Sequence, residues 1–218
     1  MTDPRLDRIP HLDERSRAFR AVTPRLASLR SRSYTWRVMT APVLDQGREG
    51  ACVGFGWSAE LAARPMEVGD VDNSFALRLY WQAQGVDRAE GRYFDEGATL
   101  LAGAKAVQRM GRIQGYRWAF GLDEVIQTLG YLGPVVLGIP WYESMYEAPD
   151  GVVSVDGQVA GGHCILARAI SLSRQAVMLR NSWGPDWGIG GDAWVTFADL
   201  DKLLRDQGEA CIPQGRTR

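Results

Sequence analysis

Asp45-Gln46-Gly47-Arg48-Glu49-Gly50-Ala51-Cys52 runs from a loop rich in glycine and charge into a segment of helical character, Cys52 to Ala63. Small and apolar residues follow the cysteine, with Phe55, Ala59 and Ala62 on one face of the expected helix. The thiol is therefore expected at a helix N-terminus, which favours anions and lowers a thiol pKa from its free value of about 8.5. A thiolate there, beside a protonated histidine, is a ready nucleophile. A buried, inert cysteine is the competing reading of the same position. Gln46 lies six residues before the thiol. Its amide and the backbone N–H of Cys52 are the two kinds of donor that an acyl-transfer site aims at a developing oxyanion.

The partners of such a thiol must come from elsewhere in the chain, which has two histidines. His11 sits among charged residues and reads as a solvated side chain. His163, in Ala160-Gly161-Gly162-His163-Cys164-Ile165-Leu166, enters an expected strand. It is either a satisfied core residue or the base that Cys52 needs. Downstream, Arg180-Asn181-Ser182-Trp183-Gly184-Pro185-Asp186-Trp187-Gly188 offers the Asn181 amide to orient an imidazole and Trp183 to cover that hydrogen bond. A third group that orients the base is the general logic of nucleophilic triads. One candidate histidine and scattered cysteines leave a closed zinc site short of ligands, so neither metal nor cofactor is expected.

The rest of the chain reads as helices first and strands second. Helices are expected at Cys52–Ala63, Ser74–Gln84, Gly97–Met110 (with Gly111 as its C-cap) and Leu122–Leu132, the last with Asp123 and Glu124 in its first turn. Strands are expected at Val135–Ile139, Val152–Val155, Cys164–Ile170, Ala176–Arg180 and Ala193–Phe197. This order predicts an α+β protein of two lobes with a cleft between them. The expected organisation is an N-terminal arm (1–32), a mainly helical lobe carrying the nucleophile (33–133) and a mainly β lobe carrying the histidine and asparagine (134–218). Pro4, Pro10 and Pro24 punctuate the arm, which has a weakly helical middle and too few large apolar residues for a core of its own.

Composition excludes other classes. The 218 residues are 45% hydrophobic and 23% charged, as in a globular chain that buries a real core. The formal net charge is −1, so no overall field attracts nucleic acid. It is uneven, however: residues 1–32 hold eight arginines against four acids. No run of about 18 apolar residues is present, and no membrane partner is expected. Three cysteines, an odd number, argue against a disulfide-stapled secreted domain. The charged N-terminus shows no signal-peptide pattern, so a cytoplasmic or virion-associated protein is expected.

These segments together resemble the papain-like cysteine peptidases. The family's Gln-Gly-x-x-Gly-x-Cys segment appears as Gln46, Gly47, Gly50 and Cys52, its histidine as His163, and its Asn-Ser-Trp-Gly-x-x-Trp-Gly box intact from Asn181 to Gly188. Trp36-Arg37 resembles the pair that opens the mature enzymes. Asp45 before Gln46, the Gly97 to Ala106 stretch and Gly161-Gly162-His163 resemble the bacterial and bacteriophage branch. The resemblance implies a papain-like two-lobed fold, a helical lobe plus an antiparallel β-barrel-like lobe, and a thiol-dependent endopeptidase that cuts polypeptides. Cys52 would be its nucleophile, His163 the base, Asn181 the orienting group and Gln46 the oxyanion donor. It further implies substrate contacts at Gly97, whose backbone would pair with an extended chain, at Cys164, lining a substrate pocket, and at Trp183. Two positions depart from the pattern, Val53 in place of a tryptophan and Glu49 in place of a disulfide cysteine. The family's inhibitory propeptide is far longer than this arm, which argues against a conventional zymogen although the arm could lie near the cleft. The alternative of another class is a structural or adaptor component of a larger assembly such as a phage particle, with the basic arm docking a protein partner. A cell-wall peptide amidase is the weaker third reading, because such domains commonly lack the Asn-Ser-Trp-Gly box.

Overall fold

The computed structural model describes residues 5–11, 13–21 and 30–216, so Pro4 and Pro24 lie outside the described residues. Two short strands, β1 (Arg8–Ile9) and β2 (Tyr34–Thr35), precede the first helix, α1 (Cys52–Leu61). Every residue of α1 is buried, not one face as the sequence suggests. The reason is its small residues. A Cβ on Gly54 would lie 2.4 Å from the Ala76 carbonyl of α2 (Asn73–Ala89), and one on Gly56 would lie 2.6 Å from the sulfur of Cys164. The helix is thus pressed between α2 and a strand of the sheet, and Cys52 at its first position is carried to that strand.

α2 runs five residues beyond Gln84 because Gly85 is tolerated inside it, and Asp72 caps its start by accepting the Phe75 N–H at 2.7 Å. The helix expected from Gly97 begins later. Ala98–Thr99 is strand β3, and the Thr99 hydroxyl caps α3 (Leu100–Arg109). The strand β4 (Ile113–Ala119) follows, then α4 (Leu122–Tyr131) with Asp123 and Glu124 in its first turn.

The remaining strands are β5 (Val135–Tyr142), β6 (Val159–Ser171), β7 (Ala176–Arg180), β8 (Asp192–Thr196) and β9 (Glu209–Arg216), with α5 (Phe197–Arg205) before β9. They form one antiparallel sheet in the order β4-β9-β5-β6-β7-β8, with β2 against β6. The sheet stays open instead of closing into a barrel. Val152–Val155 is not a strand: it follows a 3-10 turn at Pro149–Gly151 and makes a single bridge, Val152 to Trp194. β4, β9 and α5 answer to no expected element.

Alternation along β6 divides the core. Cys164 and Leu166 join the cluster built on α1, α2 and α3, while Ile165 and Ala167 join the one containing Val125, Leu129, Leu200 and the tryptophans 141, 183 and 187. The fold is α+β, with helices on one side of a cleft and the sheet on the other. The arm is part of this structure. Its middle is a 3-10 helix, Glu14–Phe19, where a weak helix was expected. Its first described residues pass through the cleft, β1 pairing in parallel with β3 and Asp7 bridging Gly162 of β6.

Candidate active site

Two of the loops that carry chemistry are zipped together. Gln46 N–H donates to the Ser182 carbonyl at 2.8 Å, Gly184 N–H donates to the Leu44 carbonyl at 3.1 Å, and Asp45 bridges Trp183. The turn between them needs Gly47, at φ +62°, with Asp45 Oδ1 accepting its N–H at 2.9 Å. The Ser182 hydroxyl donates to Gln46 Oε1 at 2.7 Å, which fixes the amide and turns Nε2 the other way. Gln46 Nε2 donates to the Glu49 carbonyl at 2.7 Å and to the Arg5 carbonyl at 3.3 Å.

His163 and Asn181 are brought together from β6 and the end of β7. His163 Nε2 and Asn181 Oδ1 lie 2.8 Å apart, and the same oxygen accepts the Ser182 N–H at 2.8 Å. An atom that accepts a backbone N–H is the amide oxygen, so Nε2 is the ring nitrogen that carries the hydrogen. Aromatic rings enclose the pair: Trp141 lies 4.6 Å and Trp183 5.0 Å from the imidazole centroid. His163 is fully buried and Asn181 nearly so.

Cys52 stands at the start of α1, with the backbone N–H groups of Cys164 and Asp7 directed at its sulfur. The expected lowering of its pKa is not what this geometry gives. Burial pushes the thiol up to about 11, outweighing those two N–H groups. The arm adds to that burial. Asp7 lies so close to the loop before Cys52 that a Cβ on Gly50 would meet its carboxylate at 2.1 Å, and Leu6 covers Gly161. The Arg5 guanidinium stacks 4.4 Å from the Trp183 centroid. The inert-cysteine reading is thus right about burial and silent about what surrounds the thiol.

The other expected contacts are also met by the arm. Gly97, at φ +82°, donates its N–H to the Tyr80 hydroxyl at 2.9 Å, and a Cβ there would lie 2.1 Å from the Asp7 carbonyl oxygen. Next to it, Ala98 N–H donates to that oxygen at 3.3 Å. Cys164 is buried against Gly56, and burial raises its thiol pKa well above the ordinary value. His11, expected in solvent, is half-buried, and its backbone N–H donates to Glu209. Sequence reasoning missed Leu6, Asp7, Arg8, Trp141 and Glu209. The available signals were the arm's charge and a lone acid opening the apolar run Glu209-Ala210-Cys211-Ile212. Among the described residues no group of three His, Cys, Asp or Glu could hold a metal ion, and no helix is long and apolar enough to cross a membrane.

No protein-family model and no curated protein matches the sequence. Solved structures do match the fold. Xylellain, a cysteine protease from Xylella fastidiosa, superposes with a TM-score of 0.71 at 17% identity over 99% of this chain and 98% of its own. Procathepsin L 3 of the Tenebrio molitor larval midgut gives 0.59 at 13% identity over 98% of this chain and 75% of its own. The procathepsin B S9 of Trypanosoma congolense gives 0.59 at 13% over 98% and 88%. The chain therefore has the fold of the papain-like cysteine proteases, the fold that its motifs resemble.

Proposed function

We propose that the chain is a thiol-dependent peptide-bond hydrolase whose own N-terminal arm fills the cleft in this structure. The observation that carries the reading is the oriented His163–Asn181 pair, on β6 and just after β7, together with a cysteine at a helix start that takes the N–H of Cys164, the residue after His163, and a fixed glutamine amide.

In this reading the arm must first leave the cleft. Cys52 then gives its proton to His163 Nδ1, and the thiolate attacks the scissile carbonyl carbon. Gln46 Nε2, now donating to the Arg5 carbonyl, and the Cys52 N–H stabilise the oxyanion. Collapse breaks the C–N bond as imidazolium delivers its proton to the leaving amine, which leaves a thioester. His163 next deprotonates a water that attacks the thioester carbon. The C–S bond breaks, and the carboxylate product departs. Asn181 holds the ring in the tautomer that makes this exchange possible, and Trp183 shields their hydrogen bond.

The test is turnover of a quenched-fluorescence peptide mixture by a full chain whose arm is loosened by Leu6→Asp. Leu6 is buried at 4% exposure, and an aspartate is costly there. Turnover is expected, and adding Cys52→Ala to that variant is expected to remove it without changing the circular dichroism. Equal turnover in the folded double variant would overturn the reading.

A further inference from the structure

The arm leaves one feature that occlusion alone does not require. Arg8 is 2% exposed, and its guanidinium is ion-paired with Glu209, itself 5% exposed. Arg8 Nη2 also donates to the Gln207 carbonyl at 3.0 Å. Burying two charges to hold down a strand is a poor source of stability, since apolar residues of similar size do as well or better. Arg8 is the arm's half of this pair. Glu209 belongs to the sheet and stays when the arm leaves.

The sheet register shows what Glu209 is built into. Glu209 of β9 lies opposite Gly138 of β5, and Gly138 lies opposite Cys164 of β6, the residue after His163. Residues opposite one another in antiparallel strands project to the same face. The row across three strands is therefore carboxylate, gap, thiol, about 10 Å from end to end at the usual strand spacing. The gap is the glycine, and the Arg8 stem lies over it: a Cβ on Gly138 would fall 2.6 Å from Arg8 Nε. At the other wall, a Cβ on Gly162 would meet the Arg8 carbonyl at 2.3 Å. Arg8 follows Asp7, whose backbone N–H is directed at the Cys52 sulfur, so the slot opens next to the nucleophile.

We infer that this slot is the specificity pocket of the cleft, and that Glu209 reads the guanidinium of an arginine in the peptide substrate. Arg8 is the arm's copy of that side chain. The inference rests on the peptidase reading for the word substrate, but the pocket itself does not. Both acceptors, the Glu209 carboxylate and the Gln207 carbonyl, are met by the one nitrogen Nη2. Arginine is preferred over lysine because a guanidinium is more weakly hydrated and keeps its charge when buried, whereas a buried ammonium readily gives up its proton. A leucine would leave the carboxylate buried and unpaired. Sites built to bind a polar group reject analogues that lack it far more strongly than apolar pockets reject a missing methylene.

Two measurements test this. The first is calorimetric binding of N-acetyl-arginine amide to the full-length Arg8→Ala chain, whose slot is empty. Binding is expected there, at least tenfold weaker for N-acetyl-leucine amide, absent in the wild type and at least tenfold weaker in Arg8→Ala/Glu209→Gln. Equal binding of both amides, no binding of either, or survival of the affinity without the carboxylate overturns the pocket. The second is labelling of Cys52 by peptidyl acyloxymethyl ketones carrying arginine or leucine at each of the last two positions, read by mass spectrometry. It is run on Leu6→Asp, Leu6→Asp/Glu209→Gln and Arg8→Ala, so it does not depend on one variant folding. One of the arginine reagents is expected to react at least tenfold faster than its leucine counterpart, and Glu209→Gln to erase the difference. Labelling without an arginine preference refutes the pocket and leaves the peptidase reading standing. Arginine amide binding to the Arg8→Ala chain with no peptidyl labelling of the Leu6→Asp chain sinks the peptidase reading and keeps the pocket.

Discussion

Reactivity of Cys52 follows the arm. With Leu6 and Asp7 in place, burial holds the thiol at about 11, against an ordinary value near 9. Two units reduce the thiolate fraction at pH 7 about 100-fold, to roughly one molecule in ten thousand. A more basic thiolate is also a better nucleophile, and a Brønsted slope of about 0.4–0.5 returns roughly a factor of ten. Wild-type Cys52 is then expected to react with iodoacetamide about tenfold more slowly than an ordinary thiol, before any steric exclusion. Its rate is expected to climb about tenfold per pH unit from pH 6 to pH 10. Leu6→Asp removes the cover and leaves the helix start and His163 to act on the sulfur. Its profile should shift to lower pH and level off below pH 7, the behaviour of a thiolate–imidazolium pair. The assay is residue-resolved mass spectrometry after timed labelling, with circular dichroism to confirm the fold. A wild-type profile that already levels off below pH 7, as fast as that of Leu6→Asp, refutes the reasoning.

Four further outcomes are expected. In the Leu6→Asp background, Asn181→Ala lowers kcat, by up to the roughly 10²–10⁴-fold that general acid–base catalysis contributes, and also lowers the melting temperature, because it strands the buried His163 and Ser182 N–H groups. Gln46→Ala in the same background lowers kcat by roughly 10²–10³-fold, the usual loss for an oxyanion donor, and leaves Cys52 labelling intact. Asp192 receives both Arg168 and Arg180 at 2.6–2.9 Å; Asp192→Ala strands both cations, and chemical denaturation should register a loss of about 3–5 kcal/mol. A free peptide of the sequence Arg-Leu-Asp-Arg-Ile-Pro-His inhibits the Leu6→Asp chain, and the same peptide with its second arginine replaced by leucine inhibits at least tenfold more weakly; equal inhibition by both counts against recognition of Arg8.

The catalytic candidates were legible because each sits in a short local pattern: a glycine-rich loop before a helix, a histidine entering a strand, an asparagine beside a tryptophan. α2, α4 and most of the sheet follow from periodicity for the same reason. β4 was not legible. Its Gln114, Gly115 and Arg117 break any apolar run, and the strand exists because β9 supplies its partner from the far end of the chain. β9 itself opens on Glu209, which pattern reading assigns to solvent, although Arg8 lies 201 residues away in sequence and directly against it. Val152–Val155 failed in the opposite direction, with strand-forming residues but a single partner at Trp194. The one-sided pattern of Phe55, Ala59 and Ala62 understates the burial of α1, because both of its sides are covered. The burial of Cys52 was invisible for a similar reason: it depends on where the arm lies, and an arm without a core of its own carries no local signal of its docking site.

The covalent attachment of the arm decides how tightly the cleft is held. Residues 13–21 have their own anchorage, Ala21 N–H donating to the Trp118 carbonyl at 2.9 Å and Arg20 ion-paired with Glu124. Residues 5–9 can therefore leave the cleft without the rest of the arm leaving β4. They also return from a short tether, at an effective concentration of the order of millimolar. A peptide making the same contacts from solution at micromolar concentration faces a competitor about a thousandfold more concentrated. To win, it must gain from something the arm lacks or meet an arm that has been weakened. The arm's holdings in the cleft include Leu6 over Gly161, the Asp7 carbonyl on Ala98, and Arg8 on Glu209, with Arg5 stacked on Trp183 beyond them. The first two are generic to any extended chain with an apolar residue, while the third requires one particular side chain. An event that removes or redirects Arg8 thus loosens the arm and, in the same step, exposes the carboxylate that selects what enters next.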